Sequence, residues 1–166
     1  DLDHYDPEAR AVRLSPEHYE FGSLTAVTVA AHEVGHAIQH ADGYGPLMWR
    51  TRLVKSLQKL QRVGVILIAL MPVVILALRL PSAGVALLVV GLASLASGII
   101  VHLMTLPTEF DASFRRALPL LNKGGYLRKE DRRHARRILT AAALTYVAAS
   151  LMGLLNFWYW IRVLRP

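Results

Sequence analysis

The sequence has no cysteine, which excludes disulfides and every thiolate metal site. A metal held by this chain has only His, Asp and Glu to hold it. Acidic residues are also scarce, 12 against 19 Lys and Arg, for a net charge of +7. None lies between Asp42 and Glu109. Charge of either sign is missing from three long runs. Residues 63–78 are 16 consecutive uncharged positions, and residues 83–106 and 138–161 are 24 each. Aromatics form only 8% of the chain and do not interleave with its basic residues. The basic balance therefore has no nucleic-acid motif behind it.

What remains is apolar: 54% of residues are hydrophobic, with a mean hydropathy of +0.35. Runs of this length exceed an ordinary core helix and read as about three transmembrane helices. Arg62 and Arg79 flank the shorter first run and can extend it by snorkelling, and Pro72 can kink it. Leu80-Pro81-Ser82 is long enough only for a turn, so residues 63–106 read as a transmembrane hairpin. The third span, 138–166 with its tail, ends in Phe157-Trp158-Tyr159-Trp160, side chains suited to the headgroup level. Ser94/Gly98 and Ala149/Gly153 have the spacing that lets helices approach closely. Lys and Arg number seven in residues 1–62 and nine in 107–137, against one in the hairpin turn and two after residue 161. By the positive-inside rule, residues 1–62 and 107–137 face the cytoplasm. The cluster Arg128, Lys129, Arg132, Arg133, Arg136 and Arg137 suits anionic lipid.

The first 46 residues have a different texture. Residues 11–14 alternate as a short strand does. Ser15-Pro16-Glu17 opens a short helix that Gly22 ends, and Ser23 can cap the next one, which should stop near Asp42-Gly43. Residues 47–62 predict a basic amphipathic helix of the kind that lies on a membrane surface.

The helix after Ser23 carries "AAHEVGHAIQH". His32 and His36, four residues apart, share one face about 6 Å apart along the axis. Both can reach one ion, and Glu33 beside them can reach a water activated by it, the arrangement of a metal ligand pair with a carboxylate general base. Gly35 lets another element come close. Burying adjacent His and Glu on so apolar a helix would be costly without a partner such as a metal. His40 lies about 12 Å from His32 along a regular helix, too far to share its ion. A third ligand must come from another segment. Glu109 and Asp111, in "LPTEFDAS" after the second run, return to the face of the membrane where His32 and His36 lie. Thr108 is expected to cap a new helix there, with Asp111 supporting the cap or acting on the metal, and Glu109 as the ligand of a His₂Glu site. His4, Tyr5, Tyr126 and His134 are the candidate oxyanion donors.

"DHYDP", "VRLS", "VAAHEVGHAIQHADGYGPLMWR", "LPTEFDAS" and "AAALTYVAA" together resemble the YugP-type membrane zinc metallopeptidases of bacteria, over nearly the whole chain. The resemblance implies a membrane-bound neutral zinc peptidase, with one zinc on His32, His36 and Glu109 and with Glu33 as catalytic base. A wider similarity to HtpX-like peptidases implies an Asp where Ser113 stands, which makes Asp111 the substitute for orienting a ligand histidine. The YugP-type resemblance also implies a hydrophobic anchor and a short segment before "DHYDP", so the chain reads as a fragment or a shortened variant. The expectation is a mainly α, helical membrane protein with a zincin-like HExxH helix, multi-pass in a bacterial cell membrane, its active site facing the cytoplasm. Its partners are a peptide or protein substrate and the bilayer. The alternative is a non-catalytic zinc-binding membrane scaffold.

Overall fold

The structure is a computed structural model that describes residues 3–77, 79 and 81–164. Leu78 and Leu80, from the first run and the expected turn, lie outside the described residues, as do the side chains of Phe157 and Trp160. The chain divides into two compact units, Asp1–Trp49 with Thr105–Tyr146, and Arg50–Met104 with Val147–Pro166.

In the first unit, strand β1 (His4–Asp6) pairs antiparallel with β2 (Ala11–Arg13), Tyr5 opposite Val12. The sequence pattern predicts β2 but not β1, which at three residues is too short to show a period. Asp6 closes the turn between them by accepting the backbone N–H groups of Glu8 and Ala9 at 2.9 and 3.0 Å. Helix α1 (Pro16–Glu20) starts as expected, with Ser15 accepting the His18 N–H and proline in the first turn. Asp3 reaches across to it, accepting the Ser15 N–H at 2.7 Å and pairing with His18 Nδ1 at 2.8 Å. Helix α2 (Leu24–Ala41) is capped by Ser23, which accepts the Ala26 N–H, and ends at Asp42. Gly43 then turns the chain at φ 64°, a conformation that suits glycine.

Helix α4 (Pro81–Phe110) brings the chain back, and two expectations about this region are corrected. Thr108 does not cap a new helix: α4 runs through Pro107 without a break, and Thr108 is fully buried inside it. Proline removes one backbone donor, and a helix packed against neighbours tolerates that loss. The chain then widens into a π-helix (Asp111–Ala117) rather than restarting. The Leu118 N–H bonds to the Ser113 carbonyl five residues back, the π spacing. Thr108, Glu109, Asp111, Ala112 and Ser113 are all buried, a run too wide for one face of a regular α-helix. Helix α5 (Leu118–Lys123) and the first turns of α6 (Arg132–Leu164) complete the unit. Its core joins Ala31, Ala117, Leu121, Ala135 and Leu139.

The second unit holds most of α3 (Gly45–Leu76), the first part of α4 and the last part of α6. The amphipathic segment and the first apolar run are one helix, because Gly64 alone is too weak a breaker to separate them. Gly64 meets Ser94, Ile68 meets Gly91, and Ile75 meets Gly84. Residue numbers rise on α3 as they fall on α4, so the two form an antiparallel hairpin. Ser94 and Gly98 sit where α3 comes close, and Gly153 where Ile99 does. Outward faces carry exposed Val65, Ile66, Val73, Val89 and Leu103, which water would not tolerate over such an area. Among the described residues, three helices are long and apolar enough to cross a membrane, within Gly45–Leu76, Pro81–Lys123 and Arg132–Leu155.

The amino-terminal hairpin should be acid-sensitive. Burial pushes the Asp3 carboxyl up, but the donors on Ser15 and His18 outweigh it and hold it below the usual range. The Ala9 and Glu8 amides, helped by Arg13, do the same for Asp6. Depressed values mean stability that is complete above an unfolded pKa of about 3.9 and is lost as pH falls through the folded values. Hydrogen-exchange protection of the Glu8, Ala9 and Ser15 amides should therefore drop below about pH 4. Asp3→Asn should remove the pH dependence at Ser15. Protection that stays level through this range would contradict the reading.

Candidate metal centre

Helix α2 supplies His32, Glu33 and His36, and the end of α4 supplies Glu109. All four are buried, Glu109 to 1% exposure, which is rare for a carboxylate that has no cationic or metal partner. Glu109 Oε2 lies 3.3 Å from His32 Nε2 and 3.5 Å from His36 Nε2. One ligand-type atom from each of His32, His36 and Glu109 lies within 4.8 Å of the others. The imidazoles meet edge to face, ring centres 4.7 Å apart. Two ligands on a tetrahedral zinc, each at about 2.0–2.1 Å, stand about 3.3 Å from one another. The two Glu109 distances match that edge, and two nitrogens with one carboxylate are a donor set zinc accepts. The three residues could therefore hold a metal ion.

The imidazole nitrogens turned away from Glu109 are also occupied. His32 Nδ1 is 3.1 Å from Ser113 Oγ. His36 Nδ1 is 3.0 Å from Gln39 Oε1. The Gln39 amide donates to the Thr108 carbonyl at 2.8 Å and to Asp111 Oδ2 at 2.9 Å. Asp111 Oδ2 also accepts Arg116 Nε at 2.7 Å. Arg116 reaches on to Asp42, at the end of α2, and lies over the Tyr44 ring. Burial pushes the His36 imidazole pKa down, but its contact with the Glu109 carboxylate, aided by Gln39 and Glu33, outweighs this and raises it. A metal on His36 has that proton as its competitor.

The structure thus brings together His32, His36 and Glu109, with Glu33 buried on the same helix. Asp111 is neither a cap nor one of that trio; it holds Gln39, and the orienting contact to His32 comes from Ser113 itself. A hydroxyl replaces the expected carboxylate there. His40 lies outside the group and pairs with the Tyr5 hydroxyl at 2.7 Å, which ties up one oxyanion candidate. Tyr126, His4 and His134 are exposed. Sequence reading missed Gln39 and Arg116. Gln39 stands three residues after His36, hence on its face of the helix, and that spacing was a usable signal. A cavity of about 740 Å³ opens beyond Asp111, among Ile38, Arg115, Arg116, Pro119 and Lys123. None of the four chemistry-bearing side chains lines it.

Gly35 makes the convergence possible. A Cβ there would fall 2.6 Å from the Ala112 carbonyl oxygen, against backbone that cannot swing away. Gly35→Ala should destabilise the fold by about 1–3 kcal/mol and weaken zinc binding, read by thermal unfolding and zinc titration in detergent. Gly22→Ala, with nothing within 4 Å of its Cβ, is the control and should leave zinc binding unchanged. Equal behaviour of the two variants would contradict the close approach.

Residues 1–165 match the family described as "Putative neutral zinc metallopeptidase". The chain is also 36% identical over 161 residues to a Bacillus subtilis (strain 168) protein named "Putative membrane protease YugP", covering 97% of this chain and 68% of the relative. No solved structure matches. A whole-chain family match, on a fold whose buried His-His-Glu group could hold a metal, shows that the chain belongs to this zinc metallopeptidase family.

Proposed function

We propose that the chain is a membrane-bound zinc peptidase with one zinc per chain held by His32, His36 and Glu109. The observation that carries this reading is the meeting of three buried ligand-type side chains from α2 and α4, with Glu33 next to His32 on α2. Zinc, when bound, supplies Lewis-acid polarisation of the scissile carbonyl and lowers the pKa of water. Glu33 acts as the general base: it takes the proton of the attacking water and delivers it to the amine nitrogen as the C–N bond breaks. Glu33 suits this role because its side chain leaves α2 one position round from His32, beside the ligands rather than among them.

The two-stranded sheet packs against α2, and β2 pairs with β1 on one side. Its other edge offers backbone groups that an extended peptide could bond, which supports a peptide or protein substrate. The bacterial relative named a membrane protease supports a bacterial cell membrane location, and the lysine and arginine distribution supports residues 1–62 and 107–137 on the cytoplasmic side. The exposed basic residues of 128–137 suit anionic lipid at that face.

Glu33→Gln separates this reading from a zinc-binding scaffold. The variant should keep its zinc and lose peptide hydrolysis by about 10²–10⁴-fold, measured on the detergent-solubilised full chain. Undiminished hydrolysis would remove Glu33 from the chemistry. Full biological function without hydrolysis would favour the scaffold.

A further inference from the structure

We propose that Gln39 is the positioning residue that fixes His36 with its proton on Nδ1 and its Nε2 lone pair toward the metal centre, and that Asp111, held by Arg116, sets Gln39. The inference rests on the reading that His36 is a ligand.

A neutral imidazole carries one proton, and Nε2 can offer a lone pair only when that proton sits on Nδ1. An Nδ1–H needs an acceptor. The atom facing it is Gln39 Oε1, at 3.0 Å. A primary amide can be turned either way, and the reverse orientation would present a donor to Nδ1 and favour the wrong tautomer. The far end of Gln39 decides between them. Its nitrogen lies 2.8 Å from the Thr108 carbonyl and 2.9 Å from Asp111 Oδ2. Neither atom can donate, so the reverse orientation would set oxygen against oxygen twice. Gln39 is fully buried, and water cannot relieve that conflict.

Asp111 stays in place because Arg116 Nε donates to the same oxygen at 2.7 Å. Arg116 is fixed in turn by Asp42 and by the Tyr44 ring. A chain of single acceptor-to-donor choices therefore runs from Arg116 through Asp111 and Gln39 to His36. His32 is held differently. Its partner is the Ser113 hydroxyl, which can donate or accept and so imposes no tautomer. Asp111 bonds to Gln39 and Arg116 bonds to Asp111, so their influence on the centre passes through Gln39.

The test uses the full chain in detergent: wild type, Gln39→Leu, Asp111→Ala and the double variant. Zinc affinity is read by chelator competition, folding by circular dichroism, and the His36 tautomer by nitrogen NMR of isotope-labelled histidine in metal-free protein, at a pH that keeps the ring neutral. Every spectrum, the one with Gln39 and Asp111 as in wild type included, is recorded with Glu109→Ala, because the carboxylate 3.5 Å from His36 Nε2 would otherwise attract a proton there when no metal is bound. Gln39→Leu should weaken zinc binding about 10–100-fold. Asp111→Ala should also weaken it, and the double variant should be no weaker than Gln39→Leu alone, because both act on one link. With Gln39 and Asp111 unchanged, His36 should show Nδ1–H, and Gln39→Leu should lose that preference. Additive losses, or Nε2–H with both residues unchanged, would overturn the proposal. The spectrum with both unchanged decides even where a further variant fails to fold. Wild type that binds no zinc, with Nδ1–H in that spectrum, would sink the peptidase reading and leave the positioning intact.

Discussion

Ala112 lies with its carbonyl against Gly35, and the contacts that join α2 to the rest of the metal centre cross that seam. Glu109 reaches both histidines across it, Ser113 reaches His32, and Gln39 reaches back to Thr108 and Asp111. The backbones can come this close because one side has no Cβ and the other has only a methyl. The π-helix adds to the effect. Its wider turn lets Asp111, Ala112 and Ser113 all face packed surroundings over three successive positions. Single π-helical turns are often found at functional sites.

The second constraint is the cost of burying charge. Few carboxylates are available in the second half of this chain, and two of them, Glu109 and Asp111, are buried. Each is matched: Glu109 by two imidazoles, Asp111 by Arg116 and the Gln39 amide. The apolar runs show the opposite solution, with no charge in the spans and large aliphatic side chains facing outward. Ser94 and Ser97 resolve their own hydroxyls within α4, by donating to the carbonyls of Gly91 and Ser94. Within that unit the helices need small residues more than polar ones at their closest points.

Much of this was legible in the sequence because the signals are local. Ser15 and Ser23 announce their helices, Gly43 marks the end of α2, and four-residue spacing puts His32 and His36 on one face. The shortness of the segment between the first two apolar runs pointed Glu109 toward the histidines. What stayed hidden depends on packing. Pro107 reads as a break, yet α4 passes through it because tertiary contacts offset one lost hydrogen bond. No periodicity announces a π-helix. The partnership of Gln39 with Asp111 spans 72 positions, and only the fold brings them together. The exchange of an expected Asp for Ser113 was visible, but its consequence required knowing that a hydroxyl at that point still reaches His32.

The proposed chemistry depends on three residues holding one metal. Zinc content per chain should be measured on detergent-purified wild type beside His32→Ala and Glu109→Ala, with folding checked in each. About one zinc is expected in the wild type, with loss of that zinc in both folded variants. Zinc retained by folded Glu109→Ala, or no zinc in the wild type after exposure to it, would contradict the His₂Glu centre.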